Sequence, residues 1–188
     1  MSIGVIAMNK IYAIIGPHAA GKTTIISKLK TQGIPSITSH TTRKPRPDEK
    51  EGREYYFVEK DKFLKLDLVE KVTYQGEYYG ISKNELLTKM QSSKINTVMI
   101  EQSGYKQLKK LLGDRLESIY IMVDYVNMVE RMLNDKETND QIKKQLEYTE
   151  TNGELEAWKL TNHVVKNVNN MNITINQILA IMGLLARK

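Results

Sequence analysis

The stretch Ile11-Tyr12-Ala13-Ile14-Ile15-Gly16-Pro17-His18-Ala19-Ala20-Gly21-Lys22-Thr23-Thr24 decides how the rest of the chain reads. An unbroken apolar run predicts a buried strand. Residues 24–30 carry a helix-like pattern, and the loop between them fits G-x-x-x-x-G-K-[ST], with Gly16, Gly21, Lys22 and Thr23 in the fixed positions. Glycines let the main chain fold round a phosphate with its N–H groups turned inward, and the following helix adds its positive end. Lys22 can reach the outer phosphates and the Thr23 hydroxyl can ligate Mg²⁺. The candidate phosphate-binding surface is therefore Gly16, Pro17, His18, Ala19, Ala20, Gly21, Lys22, Thr23 and Thr24. A chance match in a Gly-containing turn is disfavoured, because strand and helix flank the loop in the order the motif requires.

Composition bounds the rest. A chain of 188 residues predicts one domain, with room for small inserted lobes. With 27% charged and 40% hydrophobic residues it reads as an ordinary globule rather than a disordered chain. The absence of cysteine excludes disulfides, thiolate metal sites and a cysteine nucleophile, and fits a cytoplasmic setting. The formal charge of +6 suits either nucleic acid or polyphosphate ligands; with a phosphate loop present, small-molecule ligands are favoured over nucleic acid. No segment is expected to span a membrane. The apolar start at residues 3–7 is too short and lacks a basic flank for a signal peptide, and Met8 is an alternative first residue. Near the other end, Ile175, Ile178, Leu179, Met182 and Leu185 recur at helical spacing and predict core packing.

Beyond the loop, strand-like and helix-like patterns alternate. Strands are expected at residues 34–39, 97–101, 119–123 and 164–166. Ser82-Lys83-Asn84-Glu85 reads as a capping box opening a helix to about residue 91, and Thr138-Asn139-Asp140-Gln141 as a second one opening a long helix through about 157. Further helices are expected at 105–112 and 126–133. The alternation predicts a parallel sheet with helices on both faces. Residues 41–80 break it with a basic loop, Tyr55-Tyr56-Phe57-Val58, a short polar helix near 61–66, and a strand at 69–74 followed by a Gln75-Gly76 turn. A small β-rich lobe is thus expected inside an α/β core.

The lobe begins with Ser39-His40-Thr41-Thr42-Arg43-Lys44-Pro45-Arg46-Pro47-Asp48-Glu49. Arg43 and Arg46 sit three apart in a loop stiffened by prolines, and two guanidinium forks suit one phosphate. Downstream come Gly52-x-x-Tyr55-x-Phe57 and Tyr78-Tyr79-Gly80. In this order the motifs resemble the guanylate kinase family over nearly the whole chain. The resemblance implies a three-layer P-loop NTPase fold with a parallel central sheet, an inserted GMP-binding lobe and a helical lid. It implies a single domain with a core at 9–38, 82–133 and 158–188, the lobe at 39–81 and the lid at 134–157. It also implies transfer of a phosphoryl group from ATP, with Mg²⁺, to GMP or dGMP, in a monomer or homodimer. On matching positions it implies that Arg43, Arg46, Tyr55 and Tyr79 hold the GMP phosphate, that Ser39 and Glu70 face the guanine, and that Asn167 lies near the ATP adenine. On its own, Glu70 reads as an exposed strand glutamate.

The chain departs from the family pattern at several places. His18-Ala19 stand where the family has Ser-Gly, which predicts a slightly reshaped loop and a His18 that is tolerated rather than catalytic. After Tyr78-Tyr79-Gly80 the family's hydroxyl residue, which helps read guanine, is replaced by Ile81, with Ser82 next to it as the candidate substrate-binding hydroxyl in its place. Met99 replaces an acid, leaving Glu101 as the remaining carboxylate on that strand for guanine or Mg²⁺-bound water. In the lid Arg131 is kept, the second arginine is missing, and Gln145 stands for the third; Lys136, Lys143 and Lys144 offer point charges. Lys22, Arg43 and Arg131 are the catalytic candidates, and slow turnover is expected. Two alternatives stay open: a binding module whose arginines hold an acidic or phosphorylated peptide, and a kinase of the same fold with another phosphorylated acceptor.

Overall fold

The computed structural model describes residues 9–168 and 170–185; the apolar start at 3–7 and Met8 lie outside them. Strand β1 (Lys10–Ile15) forms the middle of a five-stranded sheet. Its neighbours are β7 (Ile95–Met99) and β8 (Leu116–Met122), with β2 (Ser36–Ile37) and β9 (His163–Lys166) outside them, and all four pairings are parallel. A parallel sheet must be covered on both faces, and the alternation of side chains in β1 does this. Tyr12 and Ile14 pack on one layer with Ile25, Ile26 and Leu29 of α1 (Lys22–Thr31), Met128 and Met132 of α5 (Tyr125–Asn134), and Ile175 and Ile178 of α7 (Met171–Ile181). Ile11, Ala13 and Ile15 pack on the other with Leu86 and Met90 of α3 (Lys83–Ser92) and Tyr105, Leu108 and Leu112 of α4 (Gln102–Leu112). Chain order reverses on either side of β1, so the loops at its carboxyl end diverge and leave a crevice. The phosphate loop lies there.

The inserted lobe is a four-stranded sheet in the order β4-β3-β6-β5, built from β3 (His40–Thr41), β4 (Tyr56–Phe57), β5 (Leu68–Tyr74) and β6 (Glu77–Ser82). Gln75 and Gly76 turn the β5–β6 hairpin with φ of 50° and 84°, the pair of left-handed residues that suits a two-residue hairpin. A short helix, α2 (Lys60–Phe63), plugs Phe63 under the sheet with no exposure.

Both expected capping sites form. Ser82 Oγ accepts the Glu85 N–H, although the Glu85 carboxylate turns away to accept the Thr38 N–H at 3.0 Å. The Thr138–Gln141 box is complete and starts α6 (Asn139–Thr151). That helix is shorter than expected. Gly153, at φ 63°, ends it, and residues 154–160 form a 3-10 segment instead. The second strand is also shorter than the apolar pattern suggested, because only Ser36 and Ile37 pair with β7. At the chain's end Ile175, Ile178 and Met182 are buried as expected, but Leu185 is exposed.

Candidate active site

The phosphate loop has the shape its sequence implies. Gly16 cannot be replaced, since a Cβ there would stand 2.7 Å from the Ile121 carbonyl oxygen. Gly21, at φ 87°, is the N-cap of α1 and offers no side-chain capping bond, so the helix's first N–H groups remain available to an anion. Ala19 sits at φ 57°, a left-handed conformation that costs a non-glycine residue about 1 kcal/mol. Lys22 Nζ donates to the Gly16 and Pro17 carbonyls at 2.6 and 2.8 Å, folded back across its own loop. The exposed Thr23 hydroxyl points to Met99 Sδ at 3.8 Å. A thioether is not a ligand for Mg²⁺, so of these two side chains only Thr23 offers an oxygen.

Arg131 and Asn167 brace the loop from behind. Arg131 donates from Nη1 to the Ala19 carbonyl at 3.0 Å and from Nη2 to the Asn167 carbonyl at 2.6 Å. Asn167 is buried; its Nδ2 donates to the Ala20 carbonyl at 2.8 Å and its Oδ1 accepts from Thr174 Oγ1 at 3.0 Å. The Asn167 side chain is therefore committed to the loop, beside Gly21, and not open toward a base. His18, expected to be merely tolerated, has a partner: its Nε2 lies 2.8 Å from Glu137 Oε1 in the strap between α5 and α6.

In the lobe, the Arg43 side chain is engaged within its own loop. Its guanidinium makes a two-pronged pair with Glu49 at 2.8 and 2.9 Å and stacks over Tyr55 and Phe57. Burial opposes its charge, but the Glu49 carboxylate and the Tyr79 hydroxyl beside it more than offset that and hold it fully cationic. Glu49 also accepts the Arg46 N–H at 2.8 Å, while the Arg46 side chain is exposed. One carboxylate thus organises the whole double-arginine loop, a role sequence reading missed although Glu49 is part of the motif. Thr41 Oγ1 accepts the Arg43 N–H and helps shape the same turn. Tyr55 and Tyr79 stand edge to face, 5.7 Å apart.

Glu70 contradicts the reading as an exposed strand residue. It is 3% exposed, and its Oε1 has no hydrogen-bond partner among the described residues. Gly104, at the first turn of α4, makes room for it; a Cβ there would overlap the carboxylate. Burial pushes the carboxyl up to about 7, the Glu101 charge adds to this, and the Ile81 N–H opposes it. Burial with the charge of Glu101 raises Glu154 as well, opposed by Lys22, the Thr149 hydroxyl and the His18 main-chain amide. Glu101 opens α4 without capping it. Ile81 is fully buried in the core and offers only its main chain, and the Ser82 hydroxyl is occupied as the cap of α3. Ser39 is buried. The lobe also touches α6: Gln75 Nε2 donates to Gln145 Oε1 at 2.8 Å, and the Tyr74 and Tyr148 rings meet at 4.8 Å.

Between α1 and the lobe lies a cavity of about 310 Å³, lined by Thr23, Ile26 and Lys30 on one side, Ser39 and Tyr55 on the other, and Met99 of β7. The guanylate kinase family model matches residues 8–182. The chain belongs to the guanylate kinase family. The guanylate kinase of Chlamydia muridarum is 31% identical over 171 residues, spanning 87% of this chain and 82% of that protein. That of Methylobacillus flagellatus is 33% identical over 134 residues, 68% of this chain and 66% of its own length. The crystal structure of the guanylate kinase from Anaplasma phagocytophilum superposes with a TM-score of 0.73 at 23% identity, covering 94% of this chain and 85% of that one, and supports the P-loop fold. Among the described residues no helix is long and apolar enough to cross a membrane.

Proposed function

We infer that this guanylate kinase family member transfers the γ-phosphoryl group of ATP to GMP, giving ADP and GDP. The observation that carries the acceptor assignment is the buried, unpartnered Glu70 Oε1. The Watson–Crick edge of guanine presents a ring N–H and an exocyclic amine side by side, and a carboxylate is their natural acceptor; adenine has no such pair. A group left unpaired at this depth costs stability, and a ligand that satisfies it recovers that cost on binding.

The chain's residues divide the work by place. Main-chain N–H groups of the loop and the start of α1 would cradle the donor's phosphates. Lys22 would swing off the Gly16 and Pro17 carbonyls to meet the transferring group. Arg43, Arg46, Tyr55 and Tyr79 would hold the acceptor phosphate, with Arg43 exchanging one carboxylate oxygen of Glu49 for a phosphate oxygen. That acceptor oxygen is already ionised near neutral pH, so no general base is needed, and the rate comes from alignment and charge neutralisation. Among the described residues no cluster of three or more His, Cys, Asp or Glu side chains could hold a metal ion. Mg²⁺ keeps its waters and rides on nucleotide phosphates with one or two protein ligands. Thr23 would hold it, and when bound it would neutralise charge on the donor phosphates. Arg131 would act at one remove, by fixing the loop through the Ala19 carbonyl.

A pure binding module has no need of the Gly21-Lys22-Thr23 loop. Calorimetry with Mg²⁺ and ATP separates the two readings: a kinase binds the nucleotide, an inert module gives no heat. Coupled ADP release with GMP tests the transfer itself.

A further inference from the structure

The contact between His18 and Glu137 joins residues 119 apart in the chain, and both lie in segments that matter. His18 is in the loop that would wrap the donor phosphates. Glu137 is in the four-residue strap, residues 135–138, that connects α5 to α6. The strap is tightly made: Lys136 is left-handed at φ 61°, the Glu137 N–H returns to the Met132 carbonyl at 3.1 Å, and Thr138 caps α6 directly afterwards. Whatever holds Glu137 therefore fixes where α6 begins. Farther along, α6 meets the acceptor lobe through the Gln145–Gln75 bond and the Tyr148–Tyr74 stack. Arg131 ties α5 to the loop's main chain, but α5 ends at Asn134, before the strap.

We propose that His18 and Glu137 are positioning residues for the donor: they fasten the strap to the phosphate loop and so hold α6 across both nucleotides. The proposal rests on the kinase reading above. Each side chain of the pair is only 19% exposed, so the bond is screened from water more than an ordinary surface pair and is correspondingly stronger. If ATP binds productively only with the strap in place, its apparent affinity scales with the fraction of molecules in that state. Loss of the bond then weakens ATP binding by the same factor, with a smaller effect on GMP, whose phosphate pocket lies in the lobe.

The test is a double-mutant cycle of His18→Ala, Glu137→Ala and the pair, with His18→Gln as the conservative variant that keeps an N–H donor at a similar reach. The readouts are the Kd of a non-hydrolysable imido analogue of ATP with Mg²⁺ by calorimetry, KM for ATP and for GMP, and the melting midpoint. Each alanine variant is expected to raise the Kd and KM for ATP about 5-fold, the size of one partly screened charge-assisted bond. The double variant should be no worse than either single one, His18→Gln should recover most of the loss, and KM for GMP should move less than 2-fold. Unchanged ATP affinity, losses that multiply in the double variant, or equal losses for ATP and GMP that track a fall in melting midpoint would overturn the proposal. Calorimetry needs no turnover, so it decides the clasp even if the parent protein fails to phosphorylate GMP, and parent turnover with indifferent variants sinks the clasp alone.

Discussion

Replacing Glu70 by glutamine should make the protein more stable and less active, and the stability change should depend on pH. In the folded chain burial pushes this carboxyl up to about 7, against an ordinary value of 4.5. A carboxyl whose folded value is raised binds more protons in the native state than in the unfolded chain between those two values, so stability falls as pH climbs through them. Each pH unit of difference corresponds to about 1.4 kcal/mol. The penalty is therefore small at pH 5 and approaches its full size of about 3 kcal/mol at pH 8, a growth of about 2.5 kcal/mol across that window. Glutamine has the same shape and no titration, so the stability gap between Glu70→Gln and the parent should widen by that amount from pH 5 to pH 8. In melting midpoint this is roughly 5–10 °C for a chain of this size. The assay is thermal or urea unfolding of both proteins at several pH values without nucleotide. In parallel, kcat/KM for GMP should fall on the order of 10²-fold, because two charge-assisted bonds to guanine are lost. For the parent, KM for GMP should drop as pH rises through 7, since only the ionised carboxylate accepts both guanine donors. A stability gap that is flat with pH, together with unimpaired GMP turnover, would refute both the burial argument and the guanine assignment.

Other perturbations probe the remaining parts. Lys22→Ala should lower phosphoryl transfer by about 10²-fold or more while melting stays close to the parent, since its Nζ bonds only to two loop carbonyls; ADP release with GMP measures it. Arg43→Ala should raise KM for GMP roughly 10–100-fold, with a smaller effect on KM for ATP, as expected for loss of a two-pronged phosphate contact. Ala19→Gly should raise the melting midpoint by roughly 2–4 °C, because glycine takes the left-handed conformation without the strain of about 1 kcal/mol. Asn167→Ala should destabilise by about 1–3 kcal/mol in urea unfolding, by leaving the Ala20 carbonyl and the Thr174 hydroxyl without their buried partner.

What the sequence made legible was local. The strand–loop–helix at residues 10–31, both capping sites and the Gln75-Gly76 hairpin each depend on residues within a few positions of one another, and each formed. The Thr138–Gln141 box set the start of α6 correctly, but its end depended on Gly153, whose left-handed conformation stops the helix before residue 157. The features that were misread or missed are mostly long-range. Glu70 looks like an exposed strand residue until α4 packs Gly104 over it. His18 has no evident partner until the strap brings Glu137 to it. Asn167 matched a pattern, yet its side chain is absorbed by the Ala20 carbonyl on a loop far away in the chain. Arg43 and Arg46 were read as a ready pair, whereas Glu49, six residues after Arg43, holds the first and shapes the loop of the second; that carboxylate was visible in the sequence and its geometry was not.

The most direct measurement is ADP release from Mg²⁺ and ATP with GMP, dGMP, AMP, UMP and CMP each supplied as acceptor. Turnover with GMP and with dGMP, and no more than the acceptor-free background with the other three, is the result expected from a phosphate loop working with a carboxylate that reads guanine. Background rates with all five acceptors, or a preference for AMP, would contradict it.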